Sequence, residues 1–314
     1  RKIMFKFIFK RFVYALISLF IITTLSFFII IAKPGDPIAA KVAKLPDSSR
    51  VLMEAKYGLD KPIYVRYTNY VKDLVTKGEL GESIIYNGRD VNMLIKTSAM
   101  VSAKIGGLAI LFEVVIGVLL GMISGLARGR YGDQVIRVLV VLAICIPSFV
   151  FCNLLQYFIA FKWKLAPLLG WGKPMHYVLP VMAYAIPGIA TYCKYMRSST
   201  VSVLGEDYIE TARAKGVGQM RLVFKHVFRN AILPIVTMVP VAIGGVFGGA
   251  MVIETFFSIP GMGQPYVKAV MDSDSMMILG MTVFFAFTYI ISLFFVDILY
   301  GLVDPRIRIT KGAK

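Results

Sequence analysis

The sequence has few of the side chains from which metal sites and most catalytic sites are built. It contains two histidines and three cysteines in 314 residues, and His176 and His226 are far apart. Cys145, Cys152 and Cys193 lie within or beside apolar runs and have no zinc-like spacing, which argues against a metal site or a disulfide framework. A G-x-x-x-x-G-K-[ST] phosphate loop is also missing. We therefore expect neither an enzyme nor a cofactor or metal on this chain.

Acidic residues are scarce as well. The chain has 18 Asp and Glu residues against 35 Lys and Arg residues, a net charge of +17, and 57% apolar residues. This is too apolar for one soluble domain, so the bilayer is the expected solvent. The polar segments contain no basic platform interleaved with aromatics and no recognition-helix module. Nucleic acid is therefore not an expected partner.

Six apolar runs are long enough to cross about 30 Å of hydrocarbon as helices. They cover residues 12–32, 101–126, 136–161, 178–196, 232–253 and 276–303. Because lipid offers no hydrogen bonds, each run must satisfy its own backbone groups as a helix. The sequence predicts an all-α polytopic membrane protein with six transmembrane helices.

Basic residues indicate the orientation. They concentrate in segments 1–11, 128–137, 194–229 and 306–314, which share one side of a six-helix topology. Short loops rich in Lys and Arg stay cytoplasmic, where they also meet anionic lipid headgroups, so both termini are predicted to be cytoplasmic.

The predicted organisation follows from this topology. Its parts are a cytoplasmic N-terminus and first helix (1–32), a small extracytoplasmic cap (33–97), a transmembrane core (98–303) with a cytoplasmic loop (198–231), and a cytoplasmic C-terminus (304–314).

The polar segment 206–234, EDYIETARAKGVGQMRLVFKHVFRNAILP, separates two apolar runs. Composition and an acidic start predict a first helix from Gly205 to Lys215, and Gly216 ends it. A second helix is expected from Gln219 to Asn230. It carries three basic residues at intervals of four, Arg221, Lys225 and Arg229. The apolar face of these two helices must be buried against another surface. The pattern alone leaves open whether that surface is a protein partner or the membrane interface.

The motifs resemble those of a known family. Glu210, Thr211, Ala212 and Gly216, followed by Leu233 and Pro234, resemble the EAA loop of bacterial ABC importer permeases. The sequences TARAKG and HVFRNAILP are similar to the longer form of this loop in the peptide and nickel subfamily. Further marks extend the resemblance over nearly the whole chain: PGDP, YGLDKP, GELGES, IPSF, ETFFSIPGMG and DPRIR. The chain is most similar to the B subunit class of oligopeptide and dipeptide permeases.

The resemblance implies an ABC type I importer permease fold in a bacterial cell membrane. It also implies four protein partners: a homologous second permease, two cytoplasmic ATPase subunits that bind ATP and Mg, and an extracytoplasmic solute-binding protein that delivers a peptide. The cap would receive this protein or serve as a structural cover. Carried onto this sequence, the residues that couple to the ATPase are Glu206, Asp207, Tyr208, Glu210, Thr211, Ala212, Lys215, Gly216, Leu233 and Pro234.

Residues of the substrate pathway are less clearly marked. Glu113 lies in mid-span, where a carboxylate is costly and calls for a functional hypothesis. It would contact substrate or a sister-subunit cation, or form a hydrogen bond within the bundle. Gly244, Gly245 and Gly248 would line the pathway or the sister interface, or simply let helices of this chain pack closely. Gly117, Gly121 and Gly125 leave the same alternatives. A permease for nickel or another small solute, or a gradient-driven secondary transporter, remains as a second reading of the chain.

Overall fold

The protein is helical throughout the part of the chain that the structure describes. The structure is a computed structural model that describes residues 2–31, 51–52, 54–55, 58, 60–86 and 88–303. Its helices are α1 (Lys2–Ile31), α2 (Ile63–Lys77), α3 (Val91–Leu126), α4 (Tyr131–Cys145), α5 (Ser148–Leu155, continued by a π-helix Gln156–Lys162), α6 (Val178–Leu204), α7 (Asp207–Ala214), α8 (Gln219–Ala231), α9 (Leu233–Gly249), α10 (Met251–Phe256), α11 (Gly263–Met271) and α12 (Ser275–Val303).

The number of membrane spans is three to five when it is judged by length and composition. Three single helices in the described ranges meet the test, within α1, α3 and α12. Two bent pairs meet it together, Tyr131–Cys145 with Ser148–Lys162 and Gln219–Ala231 with Leu233–Gly248. The predicted fourth span lies in α6, which is long enough but is not among these helices. Many residues of α6 are buried against other helices, where a helix needs less apolar surface than it does against lipid.

The predicted span 136–161 is not one straight helix. α4 and the segment Ser148–Lys162 meet at an angle of 103°. Pro147 lacks the N–H that would continue the helix, and Ile146 before it is extended, with φ −80° and ψ 121°. Pro187 and Pro240, in contrast, lie inside continuous helices.

Parallel packing of α3 on α6 forms the centre of the bundle. Gly117, Gly121 and Gly125 face α6, where added Cβ atoms would lie 2.7 Å from Tyr192 Cβ, 2.5 Å from the Cys193 carbonyl oxygen and 2.7 Å from Thr200 Cβ, respectively. The glycines therefore let the two backbones approach closely. Within the described chain these three glycines serve intrachain packing, one of the two alternatives that the sequence leaves open.

The helices α9, α12 and α1 complete the bundle in that order. Gly244 of α9 packs on Ser292 of α12, where an added Cβ would lie 2.5 Å from Oγ. At the far end of α12, Asp297 accepts an ion pair at 2.8 Å from Arg11 of α1. Most large apolar side chains of α1 remain exposed, as expected for a peripheral helix that contacts lipid.

The two ends of the bundle carry different structures. At one end α2 packs beside the last turns of α1 and the first turns of α12, in a cluster that includes Phe27, Tyr70 and Leu279. There Ser83 and Tyr86 donate hydrogen bonds to Asp274 and Asp272 before α12. The opposite end carries α7 and α8. Much of the predicted cap, residues 33–50 in particular, lies outside the described residues, and the division of the chain into 1–32, 33–97, 98–303 and 304–314 stays a prediction.

Candidate functional site: the helical segment α7–α8

The segment that resembles the coupling loop begins with a short helix whose outer face is polar. Glu206 occupies the N-cap position of α7, and Asp207 and Glu210 follow in the first turn. Carboxylates at this end interact favourably with the helix dipole. Four side chains of the predicted set on this helix are exposed, namely Asp207, Tyr208, Glu210 and Thr211. They form a surface that another protein can reach.

The inner face of α7 is anchored on α8. Ile209 and Ala212 are buried, three residues apart, and pack in one cluster with Leu222 and Val227 of α8. Residues three and four apart lie on one face of a helix, so these two side chains hold α7 while the opposite face stays open. Ala212 is therefore an anchor, whereas the other predicted residues of α7 are presented outward.

Gly216 ends α7 in a left-handed conformation with φ +74°. The N–H of Gly216 donates to the carbonyl of Arg213 at 2.9 Å, and that of Val217 donates to Ala212 at 3.2 Å. Val217 packs in the same cluster as Ala212. This is the Schellman arrangement, in which glycine is favoured because the backbone needs a positive φ. The predicted end of the first helix at Gly216 is confirmed, and Lys215 beside it is exposed.

The second helix is amphipathic but irregular. Residues Leu222–Phe228 form a π-helix between short α-helical ends. The wider turn buries Leu222, Val223 and Val227 together, while Phe224 is 60% exposed. The three basic residues of the predicted stripe, Arg221, Lys225 and Arg229, are exposed as expected.

Leu233 and Pro234 lie at the junction with α9. The axes of Gln219–Ala231 and Leu233–Gly248 differ by 47° there, and Pro234 occupies the first turn of α9, where its missing N–H is tolerated. Asn230 of α8 donates to the Tyr208 hydroxyl of α7 at 3.0 Å. This hydrogen bond links α7 to the end of α8, three residues before Leu233.

The predicted pathway residues are elsewhere. Glu113 lies on α3, is 5% exposed and packs against Gly188 of α6. Gly244 is buried against Ser292. An added Cβ at Gly245 would have no atom of its surroundings within 4 Å, as far as the chain is described, and one at Gly248 would meet Met251 Cε at 3.9 Å. A Cβ would thus fit without a clash at Gly245 and Gly248 but not at Gly244.

A buried carboxylate outside the predicted site residues organises the loop after α10. Glu254 is buried, and its Oε2 accepts a hydrogen bond from the Gly263 N–H at 2.6 Å. An added Cβ on Gly261 would lie 2.4 Å from Glu254 Cδ. Ser102 of α3 accepts from the Met262 N–H at 2.9 Å. The signal in the sequence was a carboxylate at the end of an apolar run, followed by two glycines.

Known proteins resemble this chain over nearly its full length. A family model described as "Binding-protein-dependent transport system inner membrane component" matches residues 117–309, and the model of an N-terminal region of such membrane components matches residues 4–85. The dipeptide transport system permease protein DppB of Bacillus subtilis is 37% identical, with 98% of this chain and 99% of the relative covered.

Another relative and one solved structure agree with this result. The oligopeptide transport system permease protein OppB of Haemophilus influenzae is 38% identical, with 97% of this chain and 100% of the relative covered. A crystal structure of an amino acid ABC transporter with histidines matches with a TM-score of 0.50 at 15% identity, covering 68% of this chain and 94% of the other. The last likeness concerns the fold alone.

Proposed function

This chain belongs to the family of binding-protein-dependent transport system inner membrane components, and we propose that it is a permease subunit that moves oligopeptides or dipeptides into the cell. Full-length relatives at 37% and 38% identity are permeases of dipeptide and oligopeptide transport systems. The transport is driven by ATP that two partner subunits bind with Mg and hydrolyse. A homologous second permease completes the channel, and an extracytoplasmic solute-binding protein delivers the peptide.

The observation that carries the coupling part of the proposal is the exposed face of α7. Its inner face is fixed on α8 through Ile209 and Ala212, so a force on the outer face moves α8 as well. Asp207 and Glu210 make the first turn of that face acidic, and Arg213 lies in the last turn. An acidic first turn is disfavoured against anionic lipid headgroups, which supports a protein rather than the membrane surface as the covering partner. We assign the ATPase contact to this face.

The membrane arrangement follows from the same reasoning. The chain is placed in a bacterial inner or plasma membrane with six spans, α6 serving as the fourth, and with both termini cytoplasmic. α6 has 27 residues, about 40 Å at helical rise, which is enough to cross the hydrocarbon. The distribution of Lys and Arg supports this orientation, which places α7 and α8 beside the ATPases.

The peptide pathway is proposed to run along the face of α9 that carries Gly245 and Gly248. A Cβ at either glycine would fit without a clash in the described structure, and small residues leave room for a solute. Gly244, one residue away, supports the packing of α9 on α12. Glu113 is enclosed between α3 and α6, so its contribution is to hold these helices together rather than to touch peptide.

Isolation of the complex tests the proposal. The chain is purified from its native membrane, its partners are identified, and vanadate-sensitive ATP hydrolysis is measured with and without peptides. Two ATPases, a second permease and stimulation by peptide are the expected result. Stimulation by nickel or another small solute in place of peptide would contradict the assigned cargo. A chain that transports alone, driven by an ion gradient, would replace the proposal with a secondary transporter.

A further inference from the structure

A buried carboxylate joins three helices at the end of the bundle that carries α7. Asp133, in the first turn of α4, is 1% exposed. Arg197 of α6 donates to both of its oxygens, from Nε to Oδ1 at 2.6 Å and from Nη2 to Oδ2 at 2.8 Å. This bidentate geometry fixes the distance and the angle between α4 and α6, because the planar guanidinium and carboxylate groups must stay aligned.

The same carboxylate also holds the end of α3. Ser124 Oγ, in the last turn of α3, donates to Oδ1 at 2.6 Å, and the Gly129 N–H, in the turn between α3 and α4, donates to Oδ2 at 3.0 Å. Asp133 thus accepts four hydrogen bonds from three other parts of the chain. A buried charge that is paired and fully hydrogen-bonded resists separation, since removal of one partner leaves the other charge uncompensated.

The position of Arg197 relates this junction to the coupling segment. Arg197 lies two turns before Gly205, where α6 ends, and α7 begins at Asp207. In these two turns α6 also packs closely on α3, because a Cβ added to Gly125 would lie 2.7 Å from Thr200 Cβ and 3.2 Å from the Arg197 carbonyl oxygen. The last two turns of α6, which lead into α7, are therefore fixed to α3 by the close packing at Gly125 and to α4 by the ion pair.

From this geometry we infer that the Asp133–Arg197 pair is a positioning element that transmits displacements of α7 and α8 to α3 and α4. The inference rests on the proposed function, in which ATPases move α7. Without the pair, the end of α6 would bend away from α4 when α7 is pulled, and ATP hydrolysis would no longer move the transmembrane helices efficiently. Neither residue is proposed to touch peptide or nucleotide.

The test compares transport with ATP consumption in the assembled complex. The full transporter is reconstituted in liposomes, and peptide taken up per ATP hydrolysed is measured for the wild type, Arg197→Lys and Asp133→Asn. Arg197→Lys keeps the charge and loses the bidentate contact, and Asp133→Asn keeps the shape and loses the charge. For both we expect the ratio to fall about tenfold, within the range of typical couplings between sites, while hydrolysis itself continues.

Arg137→Gln is the matched control. Arg137 Nε lies 3.8 Å from the same Asp133 oxygen, but its side chain is 53% exposed. Its loss removes a neighbouring cation and leaves the four close hydrogen bonds intact. Its ratio of peptide to ATP should equal that of the wild type, whereas a decrease as large as that of Arg197→Lys would overturn the inference, because charge in general rather than this contact would then matter.

A purely structural role gives a different pattern. If an assembled Arg197→Lys complex transports the wild-type amount per ATP, the inference is wrong. If neither Arg197→Lys nor Asp133→Asn assembles, the double variant Asp133→Asn with Arg197→Gln, which removes the ion pair and leaves no buried charge uncompensated, decides: an assembled complex with the wild-type ratio assigns the pair to stability alone, and a lowered ratio supports transmission. A wild-type complex that takes up no peptide with ATP contradicts the proposed function itself, and the inference with it.

Discussion

Glu113 occupies the space that a side chain at Gly188 would need. A Cβ added to Gly188 would lie 2.0 Å from Glu113 Cδ and 2.3 Å from Oε1. The carboxylate is thus accommodated by a missing side chain on the facing helix. An intramembrane carboxylate is retained here within a contact between two helices of one chain.

The first prediction concerns this contact. Gly188→Ala forces Glu113 out of its place and should lower the free energy of unfolding by about 1–3 kcal/mol, the usual cost of overpacking. Gly107→Ala is the control, because an added Cβ there meets nothing within 4 Å in the described structure, and alanine is the better helix former by about 1 kcal/mol. Thermal unfolding of the purified chain in detergent distinguishes the two. Equal changes in the unfolding temperature of the two variants would contradict the assigned packing of Glu113 on Gly188.

The second prediction separates an ATP-driven importer from a proton-driven transporter. Glu113→Gln keeps the shape of the side chain and cannot exchange a proton. Because Glu113 is assigned to packing, uptake in liposomes that contain ATP and have no ion gradient should persist within about a factor of two to three of the wild type, since a near-isosteric change costs less than about 1 kcal/mol. Loss of uptake together with retained ATP hydrolysis would instead give Glu113 a direct part in transport.

The third prediction concerns the turn after α7. Gly216 has φ +74°, and alanine in that conformation costs about 1–2 kcal/mol. Gly216→Ala should therefore loosen the end of α7, accelerate amide exchange in residues 207–217 and reduce ATP-driven uptake several-fold.

Gly218→Ala is the matched control for that variant. Gly218 has φ −57° and ψ 146°, which any residue adopts, and the described chain places nothing within 4 Å of an added Cβ at either glycine. Amide exchange and uptake of Gly218→Ala should remain those of the wild type. If both variants behave alike, the conformation at Gly216 is not what the segment requires.

The fourth prediction addresses the loop that Glu254 holds. Glu254→Ala leaves the buried Gly263 N–H without its acceptor and should cost about 1–3 kcal/mol of stability. Glu254→Gln can still accept that bond through its amide oxygen, so its effect should be smaller. Gln264→Ala, which removes a weak 3.5 Å contact to the Glu254 carbonyl, serves as a control in the same thermal unfolding measurement. A Gln variant as unstable as the Ala variant would assign the loss to charge instead.

The sequence was sufficient for the elements whose signals are local. The acidic first turn, Gly216 and the spacing of apolar residues predicted α7 and α8 within a few residues of their observed bounds. The resemblance to peptide permeases is confirmed by relatives that match nearly the whole chain.

Features that depend on packing were not predictable from local sequence. Pro147, Pro187 and Pro240 all lie within predicted spans, yet the chain breaks sharply at Pro147 and continues as a helix through Pro187 and Pro240. The partner of Asp133 is 64 residues away on another helix. The π-helix in α8 likewise follows from how Leu222 and Val227 pack, which composition does not reveal.

The glycine spacing on α3 has a mechanical consequence. Gly117, Gly121 and Gly125 pack against successive turns of α6, so the close contact repeats at intervals of about one helical turn, 5.4 Å. Sliding of one helix along the other by less than this interval would drive α6 side chains into the α3 backbone. The helices α3 and α6 therefore keep their register and move as one body. Any opening of a passage must occur at other helix–helix interfaces of the bundle.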